Sequence, residues 1–148
     1  MRNLLNALPQ SAGRPSLELA RVLLVHGELA PRLALQTILQ AGGYAVDVAA
    51  TPAEAIIKLD EGQYELVLSD AEIGARPSGR NVLAYARVKE YRPATALVTS
   101  SEPGRRSLGR RRHQFSVYTE NLPMLLGEVA ELIGIRASRR YRPLRQAV

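Results

Sequence analysis

Short apolar runs alternate with helical patterns along this sequence from Arg21 onward, and no other feature constrains the fold as strongly. Apolar runs without polar interruption are typical of strands that are buried on both faces of a sheet. Five segments are predicted to form strands: residues 22–25, 44–49, 66–70, 96–99 and 115–118. Strands that alternate with helices form βα units around a parallel sheet. The sequence therefore predicts an α/β protein with a doubly wound, five-stranded parallel sheet.

The strongest helix signal follows the second predicted strand. Thr51 is a good N-cap residue, Pro52 suits the first helical position, and Glu54 completes a T-x-x-E capping box. Gly62 is predicted to end this helix. Its apolar face is expected to contain Ile56, Ile57 and Leu59.

Three further helices are predicted from the spacing of their apolar residues. One opens at Pro31 and ends at Gly42, and another follows the third strand. The last begins at Asn121, which caps it, and ends at Gly134. The expected apolar positions are Leu33, Leu35, Ile38 and Leu39 in the first, Val82, Leu83, Tyr85, Ala86 and Val88 in the second, and Leu122, Leu125, Leu126, Val129, Leu132 and Ile133 in the last.

The segment between the fourth and fifth predicted strands is unusual. Residues 104–113 contain two glycines, five arginines and one large apolar residue, Leu108. A fourth helix there is expected to be shortened or irregular, because it has almost no apolar face to bury. The predicted organisation is an N-terminal extension (1–17), one domain (18–135) and a basic C-terminal tail without periodicity (136–148).

Composition excludes several classes of site. The chain has no cysteine, so it has no disulfide, no thiolate zinc site and no cysteine nucleophile. No stretch approaches the roughly 20 apolar residues of a membrane span, and residues 1–16 lack the apolar centre of a signal peptide. We therefore expect a soluble, cytoplasmic protein that does not bind membranes.

Positive charge is concentrated in the last third of the chain. Up to Pro103 there are 10 Lys and Arg against 11 Asp and Glu, whereas from Gly104 there are 10 Arg against three Glu, so this part supplies all of the net charge of +6. Its arginines form two groups: Arg105, Arg106, Arg110, Arg111 and Arg112, followed by Arg136, Arg139, Arg140, Arg142 and Arg145. If these arginines share one face of the protein, that basic face attracts acidic proteins or nucleic-acid phosphates. The plainer alternative is a solvated loop and tail without a partner. An acidic protein is favoured, because Tyr141 is the only aromatic residue in the tail and no DNA-binding unit follows the domain.

Polar residues stand at the ends of three predicted strands, at the edge where doubly wound sheets bind ligands. His26, Gly27 and Glu28 follow the first strand, Asp70 ends the third, and Thr99 ends the fourth. An acid and a hydroxyl at neighbouring strand ends predict a pocket. The chain has no Walker-type lysine loop and no dinucleotide-binding glycine motif, and its two histidines lack metal-binding spacing. We therefore expect a binding protein rather than an enzyme.

Residues 21–135 resemble the receiver domains of bacterial two-component response regulators, which have a flavodoxin-like fold. The resemblance rests on VLLVHGE at the first strand, YELVLSD at the third, ALVTS at the fourth, and FSVY followed by LPMLL. It implies a role in signal transduction by phosphorelay. It also implies that Asp70 occupies the phosphoacceptor position and Thr99 that of the switch hydroxyl.

Several family positions depart from the receiver pattern. His26 and Gly27 replace the acidic pair after the first strand, and only Glu28 remains beside them. The lysine position after the fifth strand falls at Tyr118, or at Thr119 if the alignment shifts by one residue. Transfer of a phosphoryl group to a carboxylate brings two anions together, and Mg²⁺ offsets that charge through oxygen ligands. These replacements therefore argue against efficient phosphorylation.

The expected function is that of an atypical receiver, without a cofactor or bound metal, that acts by binding a signalling protein. Two alternatives stay open. One is an arginine-rich regulator that binds nucleic acid through its basic tail, on the same scaffold. The other is a receiver that is phosphorylated on Asp70 in a rearranged pocket. Receiver relatives often pair, so the resemblance is also compatible with a homodimer.

Overall fold

Five strands and four helices follow one another in the part of the chain that the structure, a computed structural model, describes: residues 19–71, 79–99, 115–118 and 122–147. The strands are β1 (Arg21–Val25), β2 (Ala45–Ala49), β3 (Leu66–Asp70), β4 (Ala94–Thr99) and β5 (Phe115–Tyr118). The helices are α1 (Leu29–Ala41), α2 (Pro52–Glu61), α3 (Gly79–Arg87) and α4 (Leu122–Ala147). Each strand lies within two residues of its predicted position.

The five strands form one parallel sheet in the order β2-β1-β3-β4-β5. The reversal of strand order at β1 is the switch point of a doubly wound fold. The predicted parallel sheet is therefore confirmed.

Alternate residues of each strand divide the core into two layers. In β1, Val22 and Leu24 pack with residues of α1 and α4 on one face of the sheet. Leu23 and Val25 pack with residues of α2 and α3 on the other face. All four side chains are fully buried, as the uninterrupted apolar run predicts for a central strand that helices cover on both sides.

The predicted capping box is present at the start of α2. The Thr51 hydroxyl accepts a hydrogen bond from the backbone N–H of Glu54 at 3.1 Å. The Glu54 carboxylate reaches back and accepts from the N–H of Ala50 at 2.9 Å. Two backbone donors that precede the regular hydrogen bonds of the helix are thereby satisfied.

Three predicted core positions are wrong. Leu33, Ile57 and Val88 are 50%, 54% and 76% exposed. Leu33 and Ile57 each lie two residues from a buried position of their helix, Leu35 and Leu59, and two residues turn a side chain roughly 200° around a helix. Val88 lies beyond the end of α3. These side chains therefore face away from the sheet.

The predicted end of the last helix at Gly134 is also wrong, because α4 continues to Ala147. One glycine inside a helix costs about 1 kcal/mol relative to alanine, which neighbouring interactions can offset. Such interactions come directly after it: the Arg136 guanidinium donates to the backbone carbonyls of Tyr91 at 2.8 Å and Arg92 at 3.0 Å. The backbone of residues 136–147, predicted to be a tail without periodicity, is helical.

Some predictions fall on other parts of the chain. The irregular helix predicted over residues 104–113 and the N-cap Asn121 lie outside the described residues. Among the helices that the structure describes, none is long and apolar enough to span a membrane.

Candidate functional site

The carboxyl ends of the central strands meet at one edge of the sheet. The last residue of β1 pairs with Ser69 of β3, so His26 follows at the level of Asp70. On the other side of β3, Thr99 of β4 pairs with Tyr118 of β5. The structure therefore brings the predicted pocket positions together along the edge where doubly wound sheets bind ligands.

His26 is buried at this edge, with 9% of its surface exposed. Its backbone N–H donates to the carbonyl of Ala49 and its own carbonyl accepts from the Arg32 guanidinium, each at 3.0 Å. Its imidazole Nδ1 accepts a hydrogen bond from the backbone N–H of Glu28 at 3.2 Å. In this hydrogen bond the imidazole nitrogen is the acceptor. His26 is thus a structural acceptor at the start of α1.

Glu28 is the N-cap residue of α1, and its side chain makes no capping hydrogen bond. The residue is exposed, and its carbonyl accepts from the backbone N–H of Arg32 at 3.1 Å. The helix begins at Leu29, two residues before the predicted start at Pro31, because a proline in the first turn lacks only an N–H that has no partner within the helix. Gly27 supplies no side chain. The loop after β1 therefore contributes one carboxylate, at the surface.

Asp70 ends β3, and its backbone is packed from two sides. The Ser69 hydroxyl donates to the Asp70 carbonyl oxygen at 2.9 Å. Helix α3 begins against the same carbonyl at Gly79, where an added Cβ would lie 1.8 Å from the Asp70 oxygen. The Gly79 N–H donates to the carbonyl of Ala71 at 3.1 Å. Only glycine allows this approach, which fixes the strand end that presents Asp70.

Gly79 is a site residue that sequence reasoning missed. The sequence places it in a polar loop, although a glycine directly before a helical pattern is a signal of close backbone approach. The first group of predicted basic residues, Arg105 to Arg112, lies outside the described residues. Of the second group, Arg136 binds backbone carbonyls, and Arg139 is exposed on α4.

The side chains at this edge do not make up the oxygen-rich ligand set that Mg²⁺ prefers. Asp70 and Glu28 offer carboxylates, while His26 offers a nitrogen that already accepts a hydrogen bond. Over residues 19–71, 79–99, 115–118 and 122–147, no three His, Asp or Glu side chains lie close enough together to hold a metal ion. The described donors therefore do not fit the magnesium site that the receiver fold implies.

A separate polar cluster of Asp60, Tyr85 and Lys89 joins α2 to α3. The Asp60 carboxylate accepts hydrogen bonds from the Lys89 ammonium and from the Tyr85 hydroxyl, the latter at 2.7 Å. These donors, Lys89 foremost, lower the pKa of Asp60 below its ordinary value. In return the carboxylate raises the pKa of Lys89 and of Tyr85. The cluster thus links α2 to the end of α3 by hydrogen bonds at the protein surface.

Solved structures of receiver proteins resemble this one closely. The response regulator TrrA from Thermotoga maritima, solved in complex with Mg²⁺-BeF, is 30% identical, covers 77% of this chain and 99% of its own, and has a TM-score of 0.64. The chemotaxis response regulator CheY4 of Vibrio cholerae is 22% identical over 77% of this chain and 98% of its own, with a TM-score of 0.63. These matches confirm the flavodoxin-like receiver fold.

A third similar structure comes from a larger protein. The anti-anti-sigma factor PhyR from Bartonella quintana is 20% identical and matches 99% of this chain, with a TM-score of 0.69. This chain covers 59% of that protein. No protein-family model and no curated protein matches the sequence.

Proposed function

Since this chain belongs to the family of response-regulator receiver domains, we propose that it is an atypical receiver that transmits a signal by binding a protein partner. The proposal has two parts. The first is that phosphorylation assisted by Mg²⁺ is inefficient at Asp70. The second is that the output depends on a surface contact with another signalling protein.

The hydrogen bond from the Glu28 N–H to the His26 imidazole is the observation that supports the first part of the proposal. His26 stands where the family has an acidic residue, and it is buried with its Nδ1 committed to the N–H of Glu28. An acidic pair would place two negative charges beside Asp70, and these charges attract a divalent cation. An imidazole and a glycine provide neither of these negative charges. Charge compensation for an incoming phosphoryl group is correspondingly weak.

Intact-mass measurement tests this part directly. The purified chain is incubated with Mg²⁺ and acetyl phosphate, and its mass is followed against that of the Asp70→Asn variant. We expect no stoichiometric phosphate on either protein. Stoichiometric addition to the wild-type chain that is lost in Asp70→Asn would instead support the second candidate, a phosphorylated receiver with a rearranged pocket. The 30% identity to TrrA, whose structure holds Mg²⁺-BeF, is the observation that favours this second candidate.

The exposed part of α4 supports the second part of the proposal. Among the side chains of α4 that the structure describes, which end at Arg139, Leu132 is the last fully or nearly buried one, and Ala137 to Arg139 are exposed. The helical backbone continues to Ala147 through a stretch whose charged residues are all arginine. The exposed Arg139, on a helix whose further sequence is rich in arginine, fits a partner with an acidic surface.

Charge reversal on this helix tests the partner. Arg139→Glu is compared with the matched variant Arg139→Gln in pull-downs of the intact chain at two salt concentrations. We expect reversal to reduce capture of an acidic protein more than neutralisation does, and high salt to weaken capture in both. Retention of nucleic acid in place of protein, with a steep dependence on salt, would favour the nucleic-acid alternative.

A further inference from the structure

A cleft of about 640 Å³ lies at the amino edge of the sheet, opposite the edge that contains Asp70. Its walls come from the start of β1, the start of β2 and the loop between α2 and β3. The apolar contribution comes from Leu19 and Ala45, and the polar contribution includes Glu61 and Glu65. Its volume is in the range of clefts that hold small ligands or peptide side chains.

Among the described residues that line the cleft, Arg21 is the one cation, and it is already paired. The Arg21 guanidinium lies 2.8 Å from a carboxylate oxygen of Asp47 and 4.9 Å above the centre of the Tyr64 ring. The Tyr64 hydroxyl donates to the same Asp47 oxygen at 2.7 Å. Arg21 therefore offsets the charge of Asp47, and it does not neutralise the glutamates of the cleft.

Two carboxylates consequently give the cleft a negative charge. Glu65 accepts the backbone N–H of Arg21 through one oxygen at 2.7 Å, and a carboxylate with one such bond has capacity for further donors. Glu61 is exposed at the end of α2. Neither glutamate forms an ion pair with another side chain in the described ranges. The cleft therefore suits a cationic side chain accompanied by apolar ones.

Residues 1–18, which directly precede Leu19 at the rim of the cleft, contain such side chains. Leu19, which is 53% exposed, lines the cleft and is joined directly to residues 1–18. Those residues contain Arg2 and Arg14 and only one acid, Glu18. They also contain an apolar group, Leu4, Leu5 and Leu8.

We propose that the N-terminal segment, residues 2–14, binds back into this cleft, with the Arg14 guanidinium at Glu61 and Glu65. Arg14 lies five positions before Leu19, so Arg14 stays within roughly 17 Å of the rim at full extension. A short tether of this kind gives an effective concentration in the millimolar range, which favours this segment over a free partner of equal affinity. The leucines cover the apolar wall. The inference does not depend on the proposed signalling function.

Amide chemical shifts of the isotope-labelled full chain test the contact. We expect Arg14→Ala and Glu61→Gln to move the signals of Gly62, Gln63 and Glu65 in the same direction, towards their positions in a chain that starts at Ser16. High salt should move the same signals in that direction. The matched control is Glu90→Gln, because Glu90 is also an exposed acid but lies outside the cleft. It should leave the three signals unchanged.

A second measurement keeps the test independent of those variants. The chain has no cysteine, so Asn3→Cys accepts a single nitroxide label. We expect the label to broaden the amide signals of Gly62 and Gln63, and the broadening to persist when labelled protein is diluted with unlabelled protein. Broadening that disappears on dilution would assign the cleft to a second copy and overturn the proposal. Unchanged signals in Arg14→Ala and in the shortened chain would overturn it as well.

Discussion

The imidazole Nδ1 of His26 accepts a hydrogen bond from the backbone N–H of Glu28 at 3.2 Å. A histidine thus occupies the strand-end position at which the resemblance to receivers predicts a carboxylate, and its ring is hydrogen-bonded within the same loop. An aspartate at the same place could accept the same N–H while adding a negative charge beside Asp70.

Restoring that charge should restore phosphorylation. In a His26→Asp, Gly27→Asp variant we expect the rate of Mg²⁺-dependent phosphate addition to Asp70 from acetyl phosphate to rise at least about tenfold, the equivalent of roughly 1.4 kcal/mol in the barrier. Intact mass against time measures it. His26→Asn with Gly27→Asn is the control, since the amides keep the acceptors without the charge. An equal gain in that control would contradict the electrostatic explanation.

The close approach of Gly79 to Asp70 predicts a severe effect of a single methyl group. Gly79→Ala places a Cβ 1.8 Å from the Asp70 carbonyl oxygen, so the backbone must move. We expect the free energy of unfolding to fall by more than about 2 kcal/mol, as overpacking against rigid backbone does. Gly134→Ala is the matched control, because no atom apart from the nearby backbone of its own helix lies within 4 Å of its added Cβ. It should stabilise the protein by about 1 kcal/mol. Denaturant unfolding measures both, and equal effects of the two substitutions would contradict the prediction.

The two hydrogen bonds of Arg136 predict how the end of α4 is held. Arg136→Ala removes its bonds to the carbonyls of Tyr91 and Arg92. We expect a loss of about 1 kcal/mol of stability and faster amide hydrogen exchange after residue 136, while exchange around the buried Val129 stays slow. Arg139→Ala, which removes an exposed side chain of the same helix, should change neither. Exchange rates that are equal in the two variants would assign no anchoring role to Arg136.

The lowered pKa of Asp60 predicts a pH dependence of stability. Its ordinary value is 3.8, and the hydrogen bond from Lys89 brings the folded value below that. The unfolded state therefore takes up the proton first, so the contribution of Asp60 is full above its unfolded pKa and is lost as pH falls through the folded pKa. The stability difference between wild type and Asp60→Asn should stay constant near neutral pH and shrink below about pH 4. If the stability difference between wild type and Asp60→Asn grew on acidification, the prediction would be wrong.

Much of the fold could be predicted from the sequence because the informative residues are local. The run at residues 22–25 is apolar without interruption, and the four side chains are fully buried between helices. Thr51 and Glu54 lie three residues apart, and they form the expected backbone bonds. Such patterns depend only on the period of the element and on its ends.

The errors arose where distant residues decide the outcome. Gly134 looks like a helix end, but Arg136 binds a loop more than 40 residues earlier in the chain, and the helix continues. The order of the pocket positions followed from strand order, whereas the bond from Glu28 to His26 and the contact of Gly79 with Asp70 depend on the path of the backbone in three dimensions. No spacing rule encodes those contacts.

The Gly79 N–H donates a hydrogen bond to the Ala71 carbonyl. This bond joins the residue after β3 directly to the first residue of α3. Because Ala71 and Gly79 are hydrogen-bonded to each other, the position of Asp70 does not depend on how many residues stand between them. Doubling such a stretch costs only about 0.6 kcal/mol in closure entropy. Residues inserted between Ala71 and Gly79, or a recognition peptide grafted there, are therefore expected to leave Asp70 in place.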